Sequence, residues 1–151
     1  MKIYLDVCCL NRPFDDQTQD RINLESEAVL SILYRCQIKE WQLVGSEAID
    51  YEVYKIQDVY RKEKILQFMN LIDEKIRIDN KIKNRDLELM NCGIRSLDGL
   101  HIACAEKVKA DIFLSTDDNL IRKAKQNKEI KVKVDNPVMW LMEVIGNECE
   151  S

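Results

Sequence analysis

Asp111-Ile112-Phe113-Leu114-Ser115-Thr116-Asp117-Asp118 is a short apolar run that halts abruptly at two acids. A run of that length, with an aromatic and a β-branched residue, predicts a strand buried on both faces. The chain repeats the pattern twice. Lys2-Ile3-Tyr4-Leu5 stops at Asp6, and Trp41-Gln42-Leu43-Val44 stops at Gly45 and Ser46, a suitable helix N-cap. Helical periodicity fills the gaps. From about Thr18, Ile22, Val29, Ile32, Leu33 and Cys36 share a stripe, followed later by Ile49, Val53 and Ile56, then Ile65, Phe68, Met69 and Ile72. Leu97 to Val108 reads as a helix capped by Ser96, with Leu100, Ala103, Cys104 and Val108 facing inward. A further helix runs from Asp117-Asp118 through Ala124. Ile76-Arg77-Ile78 and the Ile130, Val132, Val134 alternation read as strands, and residues 11–16 as a loop. Asn136-Pro137 opens a closing helix, which Gly146 is expected to end.

Strands alternating with helices predict a three-layer α/β/α sandwich with a central parallel sheet. The 151 residues suit a single domain spanning 1–151, and 46% hydrophobic with 33% charged residues excludes disorder. With 23 basic against 27 acidic side chains, the net charge of −4 excludes a strongly basic nucleic-acid glove. No apolar run approaches the ~20 residues a membrane span needs. The opening Met1-Lys2-Ile3-Tyr4-Leu5-Asp6 lacks signal-peptide features, so a cytoplasmic protein is expected. Six cysteines without a CxxC pair, and one histidine, suit free thiols rather than zinc ligands.

In a parallel sheet, ligands gather where the strands end. Asp6 and Asp117 (with Asp118) stand at such ends, Asp98 sits in the first turn of the Leu97 helix, and Glu52 lies six residues past Ser46. Singly, each has an ordinary role: a helix N-terminus favours an acid, Asp6 can cap a turn, and Glu52 can face solvent. Together, converging carboxylates would raise one another's pKa and call for a counter-ion. Oxygen ligands select a hard cation, Mg2+ or Mn2+. Held by Asp6, Asp98 and Asp117, such an ion would polarise a phosphoryl oxygen and activate water for in-line attack.

At these positions the sequence resembles the PIN-domain nuclease family. The matching pieces are Ile3-Tyr4-Leu5-Asp6, Ser46 with Glu52, Ser96-Leu97-Asp98-Gly99-Leu100-His101-Ile102-Ala103-Cys104-Ala105, and Leu114-Ser115-Thr116-Asp117-Asp118. The resemblance implies that Asp6, Glu52, Asp98 and Asp117 form an acidic metal site, with Asp118 competing for the fourth place. It further implies Mg2+- or Mn2+-dependent hydrolysis of RNA, leaving a 5′-phosphate and a 3′-hydroxyl. Compact members are commonly toxins of toxin–antitoxin pairs, held by a small antitoxin protein and often homodimeric. The chain departs from the family after Asp6, where a hydroxyl residue is usual and Val7 stands instead. That change makes a weakened, non-enzymatic scaffold the alternative expectation.

Other residues take plainer readings. His101, one turn after Asp98, reads as a packed core histidine, although a base or substrate contact is open to it. Ser46 and Thr116 read as helix caps. Asn11 and Arg12 suit either loop packing or a phosphate contact. The basic excess between 107 and 133, seven lysines with Arg122, reads most simply as a solvated face, with a path for an RNA backbone toward the acidic site as the alternative. Trp140, Leu141, Met142, Tyr51 and Tyr54 read as core by default, with a dimer or partner surface as the alternative, and the sequence shows few exposed aromatics as stacking platforms.

Overall fold

The computed structural model describes residues 1–150, with side chains to Glu148; the thiol of Cys149 lies outside the described side chains. In chain order the elements are β1 (Lys2–Leu5), α1 (Val7–Asn11) with a 3-10 turn (Arg12–Phe14), α2 (Asp20–Gln37), β2 (Gln42–Ser46), α3 (Glu47–Tyr54) and α4 (Val59–Met69). There follow β3 (Ile72–Ile76), α5 (Asn80–Asn91), α6 (Ser96–Lys107), β4 (Ile112–Leu114), α7 (Asp118–Gln126), β5 (Val134–Asp135) and α8 (Pro137–Glu150). All strand pairs are parallel, in the order β3-β2-β1-β4-β5, and helices cover both faces in a three-layer α/β/α arrangement. α8 packs against α2, and α5 packs against α6, which also meets β2.

The sheet interior explains the apolar runs. Ile3, Tyr4, Leu5, Ile112, Phe113 and Leu114 are essentially sealed from solvent, as central strands flanked on both faces must be. Tyr4 pairs with Phe113 in register, and their rings stack at 5.3 Å. Trp41 and Trp140 pack together at 5.1 Å, joining the start of β2 to α8.

Several elements differ from the sequence reading. Val7–Asn11 forms a short helix before the loop, with Asp6 as its cap. Ile72 belongs to β3, not to the preceding helix, and β3 ends at Ile76, before the expected Ile76–Ile78 strand. This edge strand pairs only with β2, so Asp73 and Lys75 stay exposed and mask its apolar alternation. α5 was not legible: only Ile82, Asp86 and Leu89 are buried along it, and its signal is the Asp79 cap, which accepts from Ile82 N at 2.9 Å. Ile130 and Val132 precede β5 instead of lying in it. α8 continues through Gly146, because a helical glycine costs only ~1 kcal/mol and does not break the chain. Tyr51, Tyr54 and Met142 are exposed, contrary to the core reading, whereas Trp140 and Leu141 are buried. No described helix is long and apolar enough to cross a membrane.

Candidate functional site

The strand order reverses at β1: β2 and β3 lie to one side, β4 and β5 to the other. Such a reversal opens a crevice at the carboxyl ends of the neighbouring strands. Asp6 leaves β1 there, Ser115-Thr116-Asp117 leaves β4, and Ser46 ends β2. The Asp6 amide donates to Leu114 O at 2.9 Å, locking the two strand ends together.

Asp6 is buried and both its oxygens are engaged. Oδ1 accepts from Val7 N at 2.8 Å; Oδ2 accepts from Ser115 Oγ at 3.0 Å and from the Cys8 thiol at 3.4 Å. The Val7 side chain is buried apolar packing. The hydroxyl that the family resemblance expects beside Asp6 therefore arrives from β4 instead, through Ser115. Burial, aided by the charge of Glu52, holds the Asp6 carboxyl above its ordinary range, against the opposing pull of His101, Ser115 and Cys8.

Glu52 projects from α3, which Ser46 starts by accepting from Ile49 N at 3.4 Å. Its Oε1 lies 2.5 Å from His101 Nε2, and the other ring nitrogen, Nδ1, lies 2.7 Å from the Tyr4 hydroxyl. That hydroxyl in turn meets Ser46 Oγ at 2.6 Å. Both nitrogens of His101 are satisfied, as the core reading expected, but its partners are a candidate acid and a buried tyrosine. Burial opposes the charged imidazole, yet the bond to Glu52 and the charges of Asp6, Glu52 and Asp98 raise its pKa overall. Donor atoms of Asp6, Glu52 and His101 lie within 4.8 Å of one another, a grouping able to surround a metal ion.

Asp98 sits in the first turn of α6, half-buried. Its carboxyl is pushed up to about 6, first by burial and then by the charges of Asp6 and Asp117, while Arg95 and His101 pull the other way. Ser96 does not cap this helix: it is the first helical residue and donates to Asp86 Oδ2 at 3.0 Å. Asp117, not Thr116, caps α7, accepting from Asn119 N and Leu120 N. Asp118 points elsewhere: Arg21 grips it with two bonds of 2.6 and 2.7 Å, and it is largely solvent-exposed. Asn11 and Arg12 serve loop packing. Arg12 binds Asp15 and Glu25, and Asn11 accepts from Arg61.

Two contributors escaped the sequence reading. Ser115 had a usable signal, lying directly at the end of β4. Tyr4 had none, because a tyrosine inside an apolar strand reads as core until its hydroxyl is seen to bridge β2 and α6.

No protein-family model matches the chain, and no curated protein matches it. Two solved structures share its fold over most of its length. FitAcB from Neisseria gonorrhoeae aligns with a TM-score of 0.60 at 17% identity, covering 89% of this chain and 97% of that one. VapBC2 from Rickettsia felis, bound to a DNA fragment from their promoter, aligns with a TM-score of 0.54 at 19% identity, covering 90% and 98%. The PIN-like α/β/α fold that the sequence resemblance implies is thus met.

Proposed function

We propose that the chain is a Mg2+- or Mn2+-dependent endoribonuclease acting in the cytoplasm as the toxin of a toxin–antitoxin pair. One observation carries the reading: donor atoms of Asp6 and Glu52, with His101 beside them, lie within 4.8 Å of one another where the central strands end, and the charges of Asp6 and Asp117 reach the half-buried Asp98 carboxyl. Crowded, partly desolvated carboxylates destabilise one another, and a dication relieves that repulsion. Oxygens of Asp6 and Glu52 lie close enough to share such an ion. Asp6, Glu52, Asp98 and Asp117 would hold it, whereas the nitrogens of His101 are already engaged. Arg21 holds Asp118 away from this set.

A bound Mg2+ or Mn2+ supplies Lewis-acid polarisation of a phosphoryl oxygen and activation of the attacking water. The chain's own residues do the rest. Ser115 and Val7 N fix the orientation of Asp6. His101, anchored by Tyr4, holds Glu52 toward Asp6 and keeps it from swinging into solvent. The N-cap bonds of Asp117 pin its carboxylate at the mouth of the crevice. The scaffold alternative rests on the hydroxyl missing at Val7; the Ser115 hydroxyl on Asp6 Oδ2 supports the enzyme reading over it. The PIN-toxin-like fold supports a small antitoxin partner; a homodimer is the accompanying proposal.

The test is cleavage of a mixed RNA pool with Mg2+ beside an Asp6→Asn control. Products carrying 5′-phosphates from the wild type alone support the reading. Equal products from both proteins, or none from either, contradict it.

A further inference from the structure

Three exposed tyrosines stand on the α3–α4 surface, and each carries a lysine ammonium over its ring. Lys55 Nζ lies 4.1 Å from the Tyr51 ring centre, Lys62 Nζ 4.9 Å from Tyr54, and Lys64 Nζ 5.4 Å from Tyr60. The rings are 55–65% exposed. Among the described residues, none of these three ammoniums pairs with a carboxylate, unlike Lys75, which meets Asp50, or Lys125, which meets Asp135. We propose that this strip is a binding track for single-stranded RNA, with bases stacking on the tyrosines and phosphates meeting the lysines.

The track leads into the acidic crevice. Lys55 follows Glu52 by three residues on α3 and follows Tyr51 by four, so it sits beside both on the helix surface. Tyr54 is three residues from Tyr51 on the same helix, and Lys62 carries the strip across to α4 by bonding Tyr54 O at 3.1 Å. A protein partner fits less well, because lysine is depleted from the cores of protein interfaces. Flat aromatic platforms with cations beside them suit an unpaired strand of any base sequence. A duplex hides its base faces and gains nothing from the rings.

This inference rests on the nuclease reading for its direction, and its test separates the two. The affinity of the full chain for a short fluorescein-labelled oligouridylate is measured in EDTA, where no cleavage is needed. Tyr51→Ala and Tyr54→Ala should each weaken binding about tenfold, without changing the slope of log affinity against log salt. Tyr54→Phe keeps the ring and should keep the affinity. Lys55→Ala should lower the slope by ~0.7. Circular dichroism checks that each variant folds. Alanine variants that bind as the wild type overturn the track, even if the wild type cleaves RNA with Mn2+. A self-associating chain that the tyrosine variants turn monomeric, with RNA binding untouched, overturns it as well. Ring-dependent binding by a chain that never cleaves RNA keeps the track and removes the nuclease.

Discussion

Tyr4→Phe deletes one oxygen from the sealed centre of the sheet and leaves the rest of the ring in place. The stack on Phe113 at 5.3 Å survives, as does the edge contact with His101 at 5.8 Å. Two partners lose a bond. His101 Nδ1 is left with no partner in a fully buried position, a loss of ~1–3 kcal/mol. Ser46 Oγ loses its 2.6 Å contact but keeps Ile49 N, so the net cost there is ~0.5–1.5 kcal/mol. The sum, about 1.5–4.5 kcal/mol, is a large share of the ~5–15 kcal/mol that holds a domain folded. Urea unfolding followed by circular dichroism should show a lower midpoint at unchanged slope. A free imidazole also grips Glu52 less firmly, so Mn2+ affinity measured by calorimetry should fall ~10–100-fold. A loss below ~0.5 kcal/mol together with unchanged Mn2+ affinity would refute the reasoning, because it would show that the tyrosine hydroxyl supports neither the fold nor Glu52.

Asp98→Asn should trade function for stability. The folded carboxyl titrates near 6, above its ordinary 3.8, so the unfolded chain ionises first and the metal-free protein loses stability as pH rises from about 4 to 6. The variant should therefore melt higher than the wild type at pH 8 in EDTA, with little gain below pH 4, and should bind no Mn2+; a lower melting point at pH 8 would contradict this. Mn2+ affinity of the wild type should climb as pH rises through 6 and Asp98 ionises, and an affinity independent of pH between 5 and 7 counts against the assignment. Asp117→Asn keeps a good N-cap, so melting should barely move while Mn2+ affinity drops. Asp118→Asn should leave Mn2+ affinity intact and barely move the melting point, since it breaks only a surface pair with Arg21. Reversed affinities for those two variants would exchange the roles of the acids. Ser115→Ala should weaken Mn2+ binding ~10-fold by freeing Asp6 Oδ2; unchanged affinity would show that the hydroxyl does not orient the acid.

The parallel sheet was legible because β1, β2 and β4 are sealed on both faces, so their sequences are almost unbroken apolar runs. The two edge strands were misread for different reasons: in β3 the charged Asp73, Glu74 and Lys75 interrupt the apolar pattern and leave it half-wet, whereas β5 is buried but only two residues long, Val134 and Asp135. α5 was invisible because it buries few side chains and meets α6 where Gly99 lets the helices close in; a Cβ there would come within 2.5 Å of Asp86 Oδ1. At the candidate site, an acid following a buried strand can be read from sequence alone, which picked out Asp6 and Asp117. The separation of Asp117 from Asp118 could not be read, because it depends on Arg21, almost a hundred residues away along the chain. The coupling of His101 to Glu52 was equally hidden, since it joins α6 to α3. The exposed tyrosines were misassigned because Tyr51 and Tyr54 share α3 with Ile49 and Val53, and composition does not say which side faces out.

Anomalous diffraction from crystals soaked in Mn2+ tests the account most directly. It predicts an anomalous peak bounded by the carboxylates of Asp6, Glu52, Asp98 and Asp117, lost in Asp6→Asn crystals. A well-ordered map with no peak in that crevice, or one whose peak sits instead on Asp118, would contradict it.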